Sequence, residues 1–209
     1  ALARTVVRPA ASRPFVILAA EDAAPVAILA LGRGTAADGL ILSSPRLRDP
    51  QSDQVPPRWS PWSRSGPDDL ALGRTHDPWR GAVNHAWQTA NPDLRMGAPG
   101  ERWLAAASAA AVQAAKAGAG LSVSTLVLTP GDATARVRTL CAEMTRCRLQ
   151  VVSGARAALH LEADRWRRPW SQAVAAFIGS KVETARSVRS PRPAPPSQTR
   201  DGSEDERLS

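Results

Sequence analysis

Apolar positions along the chain follow two patterns. Between Glu101 and Ala117, Trp103, Leu104, Ala107, Ala111, Val112 and Ala115 recur at three- and four-residue intervals in a background of alanine, which predicts a helix. Gly97, Pro99 and Gly100 break the chain before it, Glu101 sets negative charge at its positive end, and Lys116, Gly118 and Gly120 mark its stop. Asp132 to Cys147 reads the same way, with Val137, Leu140, Cys141 and Met144 on one face and Asp132 as its N-cap. The second pattern is the short continuous apolar run, which predicts strands over Phe15–Ala20, Pro25–Leu31, Gly39–Ser43, Leu121–Thr129, Arg148–Val152, Ala157–Leu161 and Gln172–Ile178. Glu21 to Ala24 then reads as a turn between the first two strands, and Pro130-Gly131 ends the central one.

A helix feeding a buried strand points to an α/β fold, a three-layer Rossmann-like sheet with flanking helices in a single domain over 15–182. Residues 1–14 form a loose lead-in, 45–92 read as a long loop, and the Pro-, Arg- and Ser-rich stretch 187–209 as a disordered tail. A chain of 209 residues holds one such domain but not two.

Charge adds a partner to this picture. The formal net charge is +8 and the pI about 11.2, with 25 arginines against two lysines. A GC-rich coding sequence accounts for the arginine bias, and the surplus itself suits an acidic partner such as DNA. Trp59 and Trp62, flanked by Arg58 and Arg64, are the candidate contacts: indoles stack on bases while guanidiniums meet phosphate, although the same tryptophans could cap an edge of the core.

Cys141 and Cys147 stand six apart without a second couplet, so neither a zinc site nor a disulfide framework is indicated. No metal site is expected at His76 or His85, and His160, on a predicted strand, reads as a pairing residue. No apolar run approaches membrane-spanning length. A reduced, cytoplasmic or nucleoid-associated protein is the expectation, with its oligomeric state open. Gly32 and Gly34, after the predicted strand 25–31, are candidates for a loop that lets backbone N–H groups approach a cofactor.

From Asp77 onward the order of motifs resembles the phage-type DNA adenine-N6 methyltransferases. A tryptophan-bearing loop (Asp77-Pro78-Trp79 through Trp87) leads to Asn91-Pro92, a helix opening Glu-Arg-Trp-Leu and a strand ending Leu-Thr-Pro. A second helix, Val-Val-Ser-Gly-Ala-Arg and Pro-Trp-Ser-Gln-Ala-Val follow. The resemblance covers roughly 69–180. It implies S-adenosylmethionine as methyl donor, a flipped adenine as acceptor, and Asn91, Pro92, Asp93 and Leu94 as the catalytic tetrad, with Gly32 and Gly34 holding the cofactor. Asp93 stands where the family has a second proline and Leu94 where it has an aromatic residue, so a degenerate member fits as well as an active one.

A second resemblance, to the GCN5-related N-acetyltransferases, rests on Ala20 to Ala27 and Leu40 to Arg48 and makes Arg95 to Gly100 an acetyl-coenzyme A pyrophosphate loop. Against it stand the insertion at 46–94 and the absence of any tyrosine. A third alternative is a basic binding module without catalysis.

Overall fold

The computed structural model describes residues 14–47, 62, 73–95, 97, 100–131 and 135–189. Its centre is a four-stranded, wholly parallel sheet of β1 (Val16–Ala20), β2 (Gly39–Ser43), β3 (Thr125–Pro130) and β4 (Cys147–Val152), arranged in chain order. The helices are α1 (Ala23–Gly32), α2 (Pro78–Ala90), α3 (Glu101–Gly118), α4 (Ala135–Glu143) and α5 (Asp164–Arg189).

Parallel neighbours need crossovers, and α1, α3 and α4 lie on one side of the sheet. Ala19, Leu40, Leu42 and Val127 pack there against Ala24, Ala27, Ile28 and Leu31 of α1, Ala114 of α3, and Val137, Leu140 and Cys141 of α4. The opposite face presents Ile41, Leu126, Leu128 and Val152 to Trp166, Trp170, Ala173, Val174 and Phe177 of α5. Burial on both faces explains why the strands read as unbroken apolar runs.

The α/β architecture, the sheet with flanking helices and the helix over 101–117 are as the sequence predicts. Three predicted strands are not. Pro25–Leu31 belongs to α1, where Ala24, Ala27, Ile28 and Leu31 are buried at helical spacing while Val26 is exposed. Apolar residues on all sides hide that period, and alanine in the run together with proline confined to the first turn favours helix. Gln172–Ile178 lies inside α5 for the same reason. Ala157–Leu161 is a turn ending in a short 3-10 segment, Leu159–Leu161.

The long loop expected at 45–92 contains α2, capped at its start by Asp77, whose side chain accepts from Arg80 N. Helix α5 continues to Arg189, into the stretch read as tail. Cys141 and Cys147 are joined by a disulfide that ties the end of α4 to the first residue of β4, contrary to the sequence expectation. No helix among the described residues is long and apolar enough to cross a membrane.

Candidate active site

The decisive local geometry lies where β1 becomes α1. The five residues Ala19-Ala20-Glu21-Asp22-Ala23 turn the chain from strand into helix with Glu21 at φ +50°, a conformation that costs an L-residue with a side chain energy. The turn is pinned by Glu21 N–H donating to Ser43 O (2.9 Å) and by Ala24 N–H and Arg46 N–H donating to Glu21 O (3.1 and 3.2 Å). Alanines two residues to either side of Glu21 keep the elbow clear of side chains.

One strand along, the same thing happens again. Ser44, directly after β2, has φ +49°, and its N–H donates to Leu128 O at 2.7 Å. These are the two non-glycine residues with positive φ among the described residues. The sheet register pairs Ala20 with Ser43 and Ser43 with Leu128, so Glu21, Ser44 and Thr129 come next along three adjacent strands. The three form one rung at the carboxyl ends of the strands, the edge at which open α/β sheets hold their ligands.

The side chains of that rung are unusual for a buried place. Glu21 is 7% exposed and its Oε2 meets two guanidiniums, those of Arg74 and of Arg46, the latter at 3.2 Å. Arg46 also reaches Asp22 Oδ2 at 3.4 Å. Ser44 Oγ, Thr129 Oγ1 and Arg74 Nε are buried without a hydrogen-bond partner among the described residues. Beside them, Trp170 Nε1–H donates to Ser43 Oγ (3.0 Å), and the ring of His160 stands 6.4 Å from that of Trp170. Burial, then the positive charges of Arg74 and Arg167, push His160 below its ordinary pKa, so the imidazole is neutral at neutral pH.

A second network fixes the segment that carries Arg74. Glu162, fully buried, accepts from His76 N (2.9 Å), His76 Nδ1 (2.9 Å), Arg156 N (2.6 Å), Ala163 N (3.0 Å) and Thr75 Oγ1 (3.3 Å). Ala158 N donates to Arg74 O (2.9 Å) and Arg156 Nη1 to Thr75 O (2.8 Å). The His76 ring stacks on Trp166 at 4.0 Å, and Arg165 lies 3.5 Å from the centre of that indole. Residues 74–77 are thus strapped to 156–163, which holds Arg74 against Glu21.

The sequence-predicted site residues lie apart from this edge. Asn91 is the C-cap of α2, with Nδ2 donating to Trp87 O (2.9 Å), and Pro92, Asp93 and Leu94 form a short 3-10 turn whose Leu94 is exposed. Gly32 ends α1, where a Cβ would lie 3.3 Å from Ala117 Cβ, and Gly34 has φ +86° just beyond it. Both glycines therefore close a helix and do not follow a strand. Trp62 lies 5.6 Å from the ring of His85 and under Arg95, whose Cζ is 4.5 Å from the indole centre. Arg58, Trp59 and Arg64 fall outside the described residues.

No family model and no curated protein matches the chain in sequence. Among solved structures it is similar to a monoacylglycerol lipase from Paleococcus ferrophilus, at 14% identity and a TM-score of 0.62, over 85% of this chain and 72% of that one. A looser likeness, 12% identical with a TM-score of 0.46, joins 86% of the chain to 73% of MenH from S. aureus. The fold resembles that of the lipase, which like the other neighbours is an α/β hydrolase.

This likeness corrects the methyltransferase resemblance and, with it, S-adenosylmethionine as cofactor and adenine methylation as activity; the acetyltransferase alternative falls for the same reason. The short motifs around Asn91 follow the order of a methyltransferase because helix-then-strand units recur in many α/β sheets. Glu21, Ser44, Arg46, Arg74 and Thr129 were missed. Their signal in sequence is slight: a small-x-polar-x-small run, Ala19 to Ala23, between an apolar strand and an alanine-rich helix.

Proposed function

We propose a hydrolase-type function: hydrolysis of a small acyl substrate held at the carboxyl ends of β1, β2 and β3. Glu21 takes the place that a serine holds in the common form of this turn. A carboxylate there is a covalent nucleophile in principle. Its Oε1, the oxygen the guanidiniums leave clear, bonds to the acyl carbon as the bond to the leaving oxygen breaks, and the departing alkoxide takes a proton from the incoming water to leave as the alcohol. The hydroxide so formed attacks the Glu21 carboxyl carbon of the anhydride. The acyl group leaves as its carboxylate, Glu21 is restored, and the remaining proton passes to His160, whose neutral imidazole suits a proton acceptor. The observation that carries this reading is a buried carboxylate at the left-handed residue of the turn. The lipase with the similar fold acts, by its name, on monoacylglycerols. Short-chain monoacyl esters are accordingly the first substrates to try.

The test is hydrolysis of 4-nitrophenyl acetate and butyrate and of monobutyrin by the native protein, Glu21→Gln and His160→Gln. The expected result is turnover that falls at least about a hundredfold in Glu21→Gln. One turnover in heavy-oxygen water should label the Glu21 carboxylate. Absence of hydrolysis, or equal rates in the native protein and Glu21→Gln, overturns the reading. A second reading, ligand binding without turnover, is favoured by one observation: two guanidiniums already neutralise Glu21. It predicts thermal stabilisation by the same esters with no product.

A further inference from the structure

We propose that the rung of Glu21, Ser44 and Thr129, closed by Arg74, is a subsite for a neutral carboxamide group. The proposal rests on the hydrolase reading above and narrows its acyl substrates to primary amides. Ser44 is 8% exposed and Thr129 4%, yet Ser44 Oγ and Thr129 Oγ1 have no partner, and neither has Arg74 Nε. A buried polar atom without a hydrogen bond is expensive and uncommon, and three at one place make a site that a ligand completes.

All three can donate. Ser44 follows β2 directly and Thr129 lies on the paired β3, and the two strand backbones run about 4.8 Å apart, a spacing that one ligand oxygen between them can bridge. Arg74 Nε–H can only donate and the two hydroxyls can do the same, so one acceptor, such as a carbonyl oxygen, suits all three. The next member of the rung asks for the opposite. Both guanidiniums fall on Glu21 Oε2, and among the described residues Oε1 takes no hydrogen bond, so that oxygen seeks a donor. An acceptor-seeking pair beside a donor-seeking oxygen matches one planar group, C(=O)NH2, with its oxygen toward Ser44 and Thr129 and its N–H toward Glu21. An ester satisfies the hydroxyls but not Glu21.

Charge argues against the carboxylate analogue. Among the described residues Glu21 and Asp22 pair with Arg46 and Arg74, and a ligand carboxylate would face Glu21 across one strand spacing. Strain points the same way as the missing partners. Ser44 keeps its hydroxyl in place at φ +49°, where glycine would sit without cost.

The probes are butyramide, butyrate and methyl butyrate, titrated into the full chain by calorimetry and by saturation-transfer NMR. Butyramide should bind with a dissociation constant on the order of 1 mM, the range a six-atom ligand reaches. Butyrate and methyl butyrate should bind at least about tenfold more weakly. Thr129→Val keeps the shape and removes the hydroxyl, and should weaken butyramide several-fold while leaving methyl butyrate less affected. Ser44→Gly retains the turn and should do the same. Butyrate binding more tightly than butyramide, no binding of butyramide up to about 50 mM, or an unchanged affinity in both variants overturns the proposal. Because the readout is binding, failure of Glu21-dependent turnover leaves this outcome intact, and the converse also holds.

Discussion

Replacing Glu162 by glutamine tests the network that positions Arg74. All five partners of this carboxylate can donate: Oε1 faces His76 Nδ1 and Arg156 N, and Oε2 faces His76 N, Ala163 N and Thr75 Oγ1. Glutamine offers one acceptor oxygen, and its NH2 must face the donors on the other side. With the NH2 toward the Oε1 partners, the other His76 tautomer can accept from it and Arg156 N loses its acceptor; with the NH2 toward the Oε2 partners, His76 N and Ala163 N lose theirs. At roughly 1–3 kcal/mol for each unsatisfied group the milder arrangement costs about 1–3 kcal/mol, a sizeable part of the roughly 5–15 kcal/mol that holds a domain. Urea unfolding should show it as a midpoint shift of about 1 M at a slope near 2 kcal/mol per M.

The pH dependence supplies a second reading of the same variant. Burial acts to raise the Glu162 pKa, but hydrogen bonds from His76 N, Arg156 N, the His76 ring and Ala163 N outweigh it and hold the carboxyl below its ordinary value. A carboxyl whose pKa is lower folded than unfolded binds more protons when unfolded. Its contribution is therefore complete above the unfolded pKa, about 4.3, and is lost as pH falls through the folded value. Between pH 7 and 3 the native protein should lose stability more steeply than Glu162→Gln. A loss under about 1 kcal/mol at pH 7, or parallel pH profiles, would refute this account of the network.

Other expectations follow from single contacts. Replacing both Cys141 and Cys147 by alanine should cost about 2 kcal/mol by the loop-closure estimate for so short a ring, read as a lower urea midpoint equal to that of the reduced native protein. Gly118→Ala places a Cβ 2.2 Å from Leu140 Cδ1, inside the packed contact of α3 with α4, and should cost about 1–3 kcal/mol in the same assay. His160 is held neutral when folded, so its contribution is present above the unfolded histidine pKa near 6.5 and is lost as pH falls below it; His160→Gln should flatten stability between pH 7 and 5.

How much of this was legible in the sequence depends on what each residue had to reveal. The alanine stripe of 101–117 and the β-branched run ending at Thr129 carry their own period and composition, and both were read correctly in kind. Val26-Ala27-Ile28-Leu29-Ala30-Leu31 and Ala173 to Ile178 could not be settled by period, because a helix with apolar residues on nearly every side looks like a buried strand. Length and alanine content were the usable evidence there. The disulfide was invisible for a different reason: it needs the end of α4 to meet the start of β4, a distance that spacing in sequence does not fix.

The site escaped because its meaning lies in backbone conformation. Glu21-Asp22 between two apolar runs suits a turn joining two strands as well as a strand-to-helix elbow, and only the helical reading of 23–32 makes it the second. Once that is granted, Ser44 gains significance, since its φ of +49° repeats that of Glu21 one strand away. Each such residue costs on the order of 1–3 kcal/mol and persists only if its surroundings over-determine it. For Glu21 those surroundings are Ser43 O, Arg46 and Arg74. For Ser44, among the described residues, they are the Leu128 carbonyl, with a buried hydroxyl left unbonded. A fold selected for stability alone would place glycine there and gain the strain back. Ser44→Gly should therefore raise the urea midpoint by the equivalent of up to about 1 kcal/mol while weakening the ligand. Stability that falls in Ser44→Gly would mean that the hydroxyl serves the fold, and the case for a ligand at this rung would lose its strongest support.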